Sequence, residues 1–323
     1  MKHDVKKTTL AVNYSKPESL LFNYFGGCNG TIEFHNSISL ESKANKTEIE
    51  EHCSVTFNYG ESRSFKEILM DTYVFNGFVT LMTFEQSYPL SIIFSDQAYV
   101  KDGKPKLIQC IYHNPSYNPK YKSRRKGEYL IEYDDIKNEF SDLIQNWYKR
   151  YHEIKPVFSL MLYSFKDKLK FSEDKFMDII RAVETFHRRT TTCTKLPPTE
   201  FEELISRIQG KVDRADKQWL IKNNILNYAN ELSLKQRLLD LIRNYASPYL
   251  LEQIPNQKRF CVQVIDSRNY YTHYSLEKER IALKEKELFE LNQKLKALLI
   301  LCICKHIGVT NTEILNDGLR RNL

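Results

Sequence analysis

Close to Asp134 the hydrophobic pattern of the 323-residue chain changes from a mainly strand-like period to a helical one that lasts for the rest of the chain, and this change limits the fold more than any other feature. Before it, short segments of alternating apolar and polar residues, typical of strands, stand between turn signals such as Asn29-Gly30. After it, apolar residues recur every three or four positions, as on the buried face of a helix. The sequence therefore predicts an α+β protein, with a mixed, largely antiparallel β domain at residues 1–155 and an all-helical bundle at residues 156–323.

One helix is expected inside the first domain. Strand-like alternation covers Thr31–Leu40 and Cys53–Tyr59, and it returns at Leu90–Phe94 and Leu107–His113. Between these pairs, Phe65–Phe84 carries apolar residues at helical spacing. We expect this helix to pack on a largely antiparallel sheet.

The second domain should consist of helices with recognisable starts. Ser172 is followed by two acidic residues, so we expect it to cap a helix that ends in a polar tract near Thr190. An apolar pattern that resumes after Pro156 marks the region of the domain boundary. Further helices are predicted at residues 200–209, 215–232 and 234–244.

A stripe with a seven-residue repeat follows near the C-terminal side, at Ile281, Leu288, Leu295 and Cys302. Such a stripe suits packing in its own bundle or against a second subunit. Lys284 and Lys305 interrupt the stripe, which favours packing within the chain.

Composition limits the class of protein. An apolar content of 41% with 12% aromatic residues excludes general disorder. The net charge of +7 favours a polyanionic partner without identifying one, and ordinary solubility is the alternative. Seven cysteines without a C-x-x-C pair indicate a reducing compartment. With no apolar run of signal-peptide or membrane-spanning type, we expect a cytoplasmic protein without a membrane partner.

Basic residues are concentrated in the loop between Asn114 and Gly127, which also contains tyrosines and prolines. Cations interleaved with aromatic rings suit contacts with phosphates and bases, whereas a solvated loop without a ligand is the alternative. The predicted RNA-binding residues are Lys120, Lys122, Arg124, Arg125 and Lys126.

The strongest functional signal is the segment Asp266–Tyr274, which reads D-S-R-N-Y-Y-T-H-Y. Arg268 carries a permanent charge on a planar fork that matches phosphate oxygens, and His273 can exchange a proton near neutral pH. Such a pair suits metal-free cleavage of RNA, whose own 2′-hydroxyl is the nucleophile. The spacing alone is not specific, because Arg181 and His187 form a near-match inside a predicted apolar-periodic helix. We place the motif at the start of a polar helix.

Three segments resemble the HEPN ribonucleases of the ApeA-like branch. The residues R-N-Y-Y-T-H, from Arg268 to His273, are similar to the R-N-x-x-x-H signature of HEPN ribonucleases. Ala182–Arg189 resembles a helix of the ApeA-like HEPN branch, and Phe78–Phe94 resembles the end of the ApeA N-terminal domain. The three segments occur in the expected order and together span most of the chain.

This resemblance implies a partner subunit, an RNA target and a mechanism of regulation. One histidine does not easily serve as base and acid in the same step, and HEPN relatives bring two motifs together in a homodimer, with Arg268 and His273 from each subunit. The implied activity is anti-phage defence by abortive infection, through cleavage of RNA needed for translation, with tRNA as a candidate. A phage-derived trigger would release a restraint by the N-terminal domain. No cofactor or metal is expected, since no nucleotide-binding or metal-spaced motif occurs.

Residues next to the motif are given supporting roles. Asn269 can orient the histidine or a phosphate through its amide, and a helix cap is the alternative. Tyr270, Tyr271 and Tyr274 can stack on a base, although tyrosines at a helix start more often pack against neighbours.

The resemblance also gives roles to residues on the earlier helix. Glu184 is expected to be a polar partner of Arg268, with an ordinary surface carboxylate as the alternative. Arg188 and His187 are secondary residues of a structural or interfacial kind.

Two rival functions come from other classes. In the first, the chain is a non-catalytic HEPN module that binds nucleic acid or protein, and Arg268 and His273 are only polar residues at a helix boundary. In the second, the first domain binds a sugar or nucleotide on its sheet, a reading that rests on strand content alone.

Overall fold

The computed structural model describes residues 16–24, 28–41, 46–111, 127–165, 171–223, 225–226 and 228–323. The first part of the chain contains β1 (Leu20–Asn23), β2 (Asn29–Glu41), β3 (Lys46–Asn58), α1 (Phe65–Thr83), β4 (Ile92–Lys101) and β5 (Lys104–Cys110). Helices follow at α2 (Tyr133–Ile136), α3 (Phe140–Phe165), α4 (Glu173–Thr190), α5 (Pro198–Lys211), α6 (Arg214–Lys222), α7 (Leu234–Tyr245), α8 (Pro248–Gln253), α9 (Gln257–His273), α10 (Leu276–Glu279), α11 (Glu285–His306) and α12 (Thr312–Asn322). None of the helices in these ranges is both long enough and apolar enough to span a bilayer.

Strands β1, β2 and β3 form one antiparallel sheet in that order. Leu20 lies opposite Ile32, and Thr31 lies opposite Thr56, which fixes the register of the sheet. Strands β4 and β5 form a separate antiparallel hairpin. The predicted α+β class and the antiparallel character of the first part are thereby confirmed.

Helix α1 packs on the three-stranded sheet, as the apolar spacing predicts. Ser64 caps it through a reciprocal pair of bonds with Glu67. The ring of Phe75 stacks on Phe22 from β1, with 5.8 Å between centroids, and meets Phe57 from β3 edge-on at 5.8 Å. Aromatic side chains therefore join the helix to the sheet.

Helix α3 is continuous through Pro156, where the sequence suggests an interruption. A proline inside a helix leaves the carbonyl four residues earlier without its usual donor, and here that carbonyl belongs to His152. Arg189 from α4 compensates, because its Nη2 donates to the His152 carbonyl at 3.0 Å and its Nε donates to the Glu153 carbonyl. The proline is tolerated because a neighbouring helix supplies the missing donor.

The N-terminal half of α3 joins the helical bundle to the first part of the chain. Trp147 is fully buried, and its indole N–H donates to the carbonyl of Val74 in α1 at 2.7 Å. Phe158 lies about three turns further along the same face of α3. Its ring is edge-on to the indole, with 5.1 Å between centroids. The buried side chains of both parts belong to one hydrophobic core.

Helix α11 lies in the centre of the bundle. Leu288, Leu295 and Cys302 of the seven-residue stripe are fully buried within the chain, so packing inside the bundle is confirmed at these positions. Ile281 lies before the helix begins, and its side chain is 49% exposed.

One predicted helix is shorter than expected, since α6 ends at Lys222 instead of continuing to residue 232. Its C-terminal residue is followed by Asn223, whose side-chain amide donates to the carbonyl of Trp219 at 2.8 Å. An asparagine that bonds locally in this way competes with the helical backbone, so the helix stops.

The segment that precedes α2 is held between α1 and α12. The N–H of Ile131 donates to the carbonyl of Met82 at 3.0 Å, and Arg321 donates to the carbonyl of Tyr129 at 3.1 Å. Between these bonds, the backbone of Gly318 passes so close to Leu130 that a Cβ atom would lie 1.9 Å from the Leu130 carbonyl oxygen. Helix α12 therefore closes directly onto the first part of the chain.

Candidate functional site

The motif lies at the C-terminal end of α9, and the expectation that it begins a helix is wrong. Asn256 caps the start of α9 by accepting from the N–H of Arg259 at 2.9 Å, and the helix ends at His273, followed by Tyr274, whose φ of 49° is left-handed. The apolar residues that precede the motif, 260–265, belong to the same helix. Its buried residues Phe260, Cys261 and Val264 have helical spacing.

Helical geometry decides which motif side chains share a face. Asn269 and His273 are four residues apart and lie on one side of α9, whereas Arg268 lies on the flank. Arg268 and Asn269 are half-buried, and His273 is exposed. The motif therefore presents an imidazole to solvent, with an amide and a guanidinium behind it.

Asn269 is held by the motif arginine. Nη1 of Arg268 donates to Oδ1 of Asn269 at 3.2 Å. This bond uses the acceptor of the amide and leaves its Nδ2 donors for a ligand or an imidazole nitrogen. The helix caps are Asn256 and Tyr274, so the alternative reading of Asn269 as a cap is wrong.

The two charged or titratable groups of the motif are free to meet a ligand. Among the described residues, the guanidinium of Arg268 has no ion-pair partner, and the imidazole of His273 has no hydrogen-bond partner. A cation without an internal counter-ion attracts anions more strongly than a paired one. The arrangement suits a phosphate group.

The three tyrosines of the motif touch one another but differ in exposure. Tyr270 lies 4.9 Å from Tyr271 and 5.5 Å from Tyr274, measured between ring centroids. Tyr271 also meets Phe176 of α4 edge-on, and burial raises the pKa of its hydroxyl to about 12. Tyr274 is 64% exposed. Tyr271 is thus a packing residue, while Tyr274 presents a ring to solvent.

The segment after α9 folds back against the helix. Lys278 pairs with Asp266 at 2.9 Å, and Oγ of Ser267 accepts from the N–H of Leu283 at 3.0 Å. The hydroxyl of Tyr271 donates to the carbonyl of Leu283 at 3.0 Å. Ser267 was missed by the sequence reasoning, although it continues the buried spacing of Phe260 and Val264. A hydroxyl at such an apolar position is the signal that marks it.

The resemblance implied that Glu184 pairs with Arg268, but the structure pairs it with another arginine. Its carboxylate accepts from Nε and Nη2 of Arg188, both at 3.2 Å, because residues four apart on one helix are neighbours. Arg188 also donates to Glu231 at 2.7 Å. Glu184 and Arg188 therefore belong to an ion-pair network between α4 and the segment before α7.

His187 is a structural residue of the same network. Its side chain is fully buried, and Arg237 donates from Nη1 to its Nδ1 at 3.0 Å. An arginine only donates, so Nδ1 is an acceptor and Nε2–H donates to Asp240 at 3.1 Å. Burial lowers the pKa of His187, and the bond to Asp240 opposes this shift. The imidazole is neutral and fixed in one tautomer.

The neighbours of His187 have the residue types of a hydrolytic triad, with the hydroxyl of Thr191 at 3.1 Å from Nδ1. That nitrogen already accepts from Arg237, and Thr191 donates to the carbonyl of His187 at 2.7 Å. The imidazole has no free lone pair for a hydroxyl proton. The group stabilises the end of α4 and is not a second catalytic site.

The predicted RNA-binding cations Lys120, Lys122, Arg124, Arg125 and Lys126 lie outside the described residues. Their role stays a prediction.

Two family models match the chain, and together they cover most of it. The model described as ApeA N-terminal domain 1 matches residues 2–147, and the model described as Apea-like HEPN matches residues 177–313. The second range contains α9 with the motif, and α4 except for its first four residues. Residues 177–313 are therefore a HEPN domain, a class whose members are generally ribonuclease-like.

With both domains present in this order, the chain belongs to the ApeA-like HEPN family. No curated protein sequence and no solved structure gives a significant match. The two matched ranges leave residues 148–176 between them. The domain boundary after residue 155 falls in this interval and stays a prediction.

Proposed function

We propose that the protein is a metal-independent endoribonuclease that acts in anti-phage defence by abortive infection. The observation that carries the proposal is the position of Arg268 and His273 at the end of α9, where neither group has an ionic or hydrogen-bonding partner from another element of the described chain. The family assignment supports the same activity.

The proposed reaction is a transesterification within the RNA. The 2′-oxygen forms a bond to phosphorus while the bond from phosphorus to the 5′-oxygen breaks. His273 takes the 2′-hydroxyl proton as a base, or protonates the departing 5′-oxygen when it begins as imidazolium. Arg268 neutralises the charge that builds on the non-bridging oxygens. The products carry a 2′,3′-cyclic phosphate and a 5′-hydroxyl.

The other motif residues bind and orient the RNA. The bond from Arg268 directs the amide donors of Asn269 toward a phosphate or the imidazole. The exposed ring of Tyr274 offers a face on which a base can stack, and the adjoining ring of Tyr270, with Lys284 Nζ 5.5 Å from its centroid, supports it. The basic residues 120–126 would hold the backbone of the same RNA.

The active form is proposed to be a homodimer. One histidine cannot easily be base and acid in one step, and the exposed end of α9 is accessible to the same surface of a second copy across a two-fold axis. Each subunit would contribute Arg268 and His273 to a composite cleft.

The N-terminal domain is proposed to restrain this dimer until a phage-derived trigger appears. What supports such coupling is that buried side chains of the first part and of the bundle belong to one hydrophobic core. The proposed target is RNA needed for translation in the cytoplasm, with tRNA as a candidate.

The test is to incubate the purified protein with end-labelled tRNA and unstructured RNA in EDTA, and to identify the product termini. His273→Ala and Arg268→Ala are each expected to slow cleavage by about 100-fold or more. RNA in which the residue at the cleaved site lacks its 2′-hydroxyl should resist. Matched controls are His152→Ala and Arg181→Ala, which remove an exposed histidine and an exposed arginine outside the motif.

All four variants should sediment as dimers, which shows that they fold and assemble. Cleavage that persists in His273→Ala would overturn the proposed site. No cleavage by the wild type, even with lysate of phage-infected cells, would favour the non-catalytic binding module.

A further inference from the structure

Two residues of α9 hold both backbone polar groups of one residue outside the helix. Ser267 accepts from the N–H of Leu283, and Tyr271 donates to its carbonyl, each at 3.0 Å. Ser267 is fully buried. We call this set of three residues the Leu283 clamp.

The clamp and the motif occupy opposite sides of the same two helical turns. Each residue of an α-helix advances by roughly 100°. Ser267 and Tyr271 therefore share the inward side, while Asn269 and His273 share the opposite side. Bonds on the inward side fix the backbone from which the outward side chains project.

The last turn of α9 needs such support. The final carbonyls of a helix lack intrahelical donors, so helix ends fray. His273 is the last residue of α9, and among the described residues its imidazole has no hydrogen bond to hold it. Its position therefore depends on the backbone of that turn.

The residue that receives the clamp is itself well anchored. Leu283 precedes Lys284, the cap residue of α11, whose buried residues form the centre of the bundle. The ring of Tyr271 also packs against Phe176 of α4, with 6.2 Å between centroids. The end of α9 is thereby attached to both α4 and the start of α11.

We propose that Ser267 and Tyr271 are positioning residues of the proposed nuclease, which hold His273 in place for proton transfer through the Leu283 clamp. The inference rests on the proposed function. If the clamp served stability alone, the protein would fold in the same way, and the effect of losing the clamp on cleavage would not depend on the imidazole of His273.

The first arm of the test compares single-turnover cleavage at saturating RNA. Ser267→Ala and Tyr271→Phe each remove one hydroxyl and keep most of the side-chain volume. Each is expected to lower the rate about fivefold, the effect of one lost hydrogen bond. Thr190→Val is the matched control, since it removes a hydroxyl that bonds the carbonyl of Phe186 near the end of α4.

The readout specific to positioning is the combination with His273→Ala. If Ser267 acts through the imidazole, Ser267→Ala adds no further loss of rate in the His273→Ala background, and RNA affinity in that background changes less than twofold. A full fivefold loss in both backgrounds would overturn the positioning role.

The second arm measures hydrogen exchange of the backbone amides and does not depend on cleavage. Amides of residues 271–274 should exchange faster in Ser267→Ala, while those in the centre of α11 keep the rate of the wild type. Unchanged exchange at residues 271–274 would overturn the clamp. A wild type that cleaves no RNA overturns the nuclease and the positioning role together, whereas this arm still shows whether the clamp holds the helix end.

Discussion

At the level of single residues, burial separates the two arginine and histidine pairs of this chain. Arg181 pairs with Asp178 at 3.1 Å, and His187 is fully buried with partners on both ring nitrogens. Arg268 and His273 lie on a helix end and are not paired in this way. Residue types and spacing alone do not reveal this difference, because it arises from packing between helices.

The buried histidine makes stability depend on pH. Burial lowers the pKa of His187 below the usual 6.5, so the unfolded chain binds a proton that the folded chain refuses. The stability that neutral His187 contributes is present above about pH 6.5 and is lost as the pH falls through the lower folded pKa. The urea midpoint of the wild type should therefore decrease between about pH 7.5 and 5.5.

The substitution His187→Gln tests the origin of this slope. It should cost about 1–3 kcal/mol at neutral pH, because Arg237 and Asp240 lose their buried partner. It should also reduce the slope of stability against pH. The slope should not vanish, because burial lowers the pKa of His306 as well, and that residue contributes in the same direction. His152→Gln, at an exposed position, is the control. An unchanged slope in His187→Gln would assign the effect to other groups.

At the level of elements, local signals predicted the start of α4 but not the start of α9. Ser172 caps α4 as expected, because a serine before acidic residues needs only its own neighbours to act. The motif was assigned to the wrong end of α9, since its start depends on Asn256, ten residues before Asp266. The assignment of Glu184 failed for a related reason, as Arg188 lies nearer on the same helix.

Helices α5 and α6 contribute no buried residue, although they account for a long stretch between α4 and α7. The ends of this stretch lie side by side. Lys195 N–H donates to the carbonyl of Asn230 at 2.9 Å, and the Asn230 side chain bonds both backbone groups of Leu196 at 2.8 and 2.9 Å.

Replacing residues 197–228 with a short Gly-Ser linker should therefore leave the bundle folded. Calorimetry should show a single unfolding transition within about 4 °C of the wild type, because none of the residues that the structure describes in this stretch is buried. Asn230→Ala in the shortened chain should lower the transition further, since it removes the pairing that closes the linker. Loss of cooperative unfolding after the replacement alone would show that α5 and α6 support the core.

At the level of the whole molecule, the closest packing joins residues far apart in the sequence. Gly318 of α12 has no room for a side chain, whereas Gly210 of α5 has open space around its Cα. Nothing in the local sequence distinguishes the two glycines. Their difference depends on Leu130, which no local pattern could place against α12.

Gly318→Ala should destabilise the protein by about 1–3 kcal/mol, because the new methyl group would collide with the Leu130 carbonyl. Gly210→Ala should instead stabilise by about 0.5–1 kcal/mol through higher helix propensity. Urea unfolding of the two variants provides a matched comparison. Equal midpoints would mean that α12 moves away from Leu130 at little cost.

The continuity of α3 has a mechanical consequence. Its 26 residues span about 39 Å, and it packs against β1 and α1 as well as against α4. Arg189 reinforces the helix where Pro156 would weaken it. α3 is therefore a rigid connection between the two parts of the molecule. A displacement of the sheet would be transmitted along it to α4, because no flexible segment interrupts the helix.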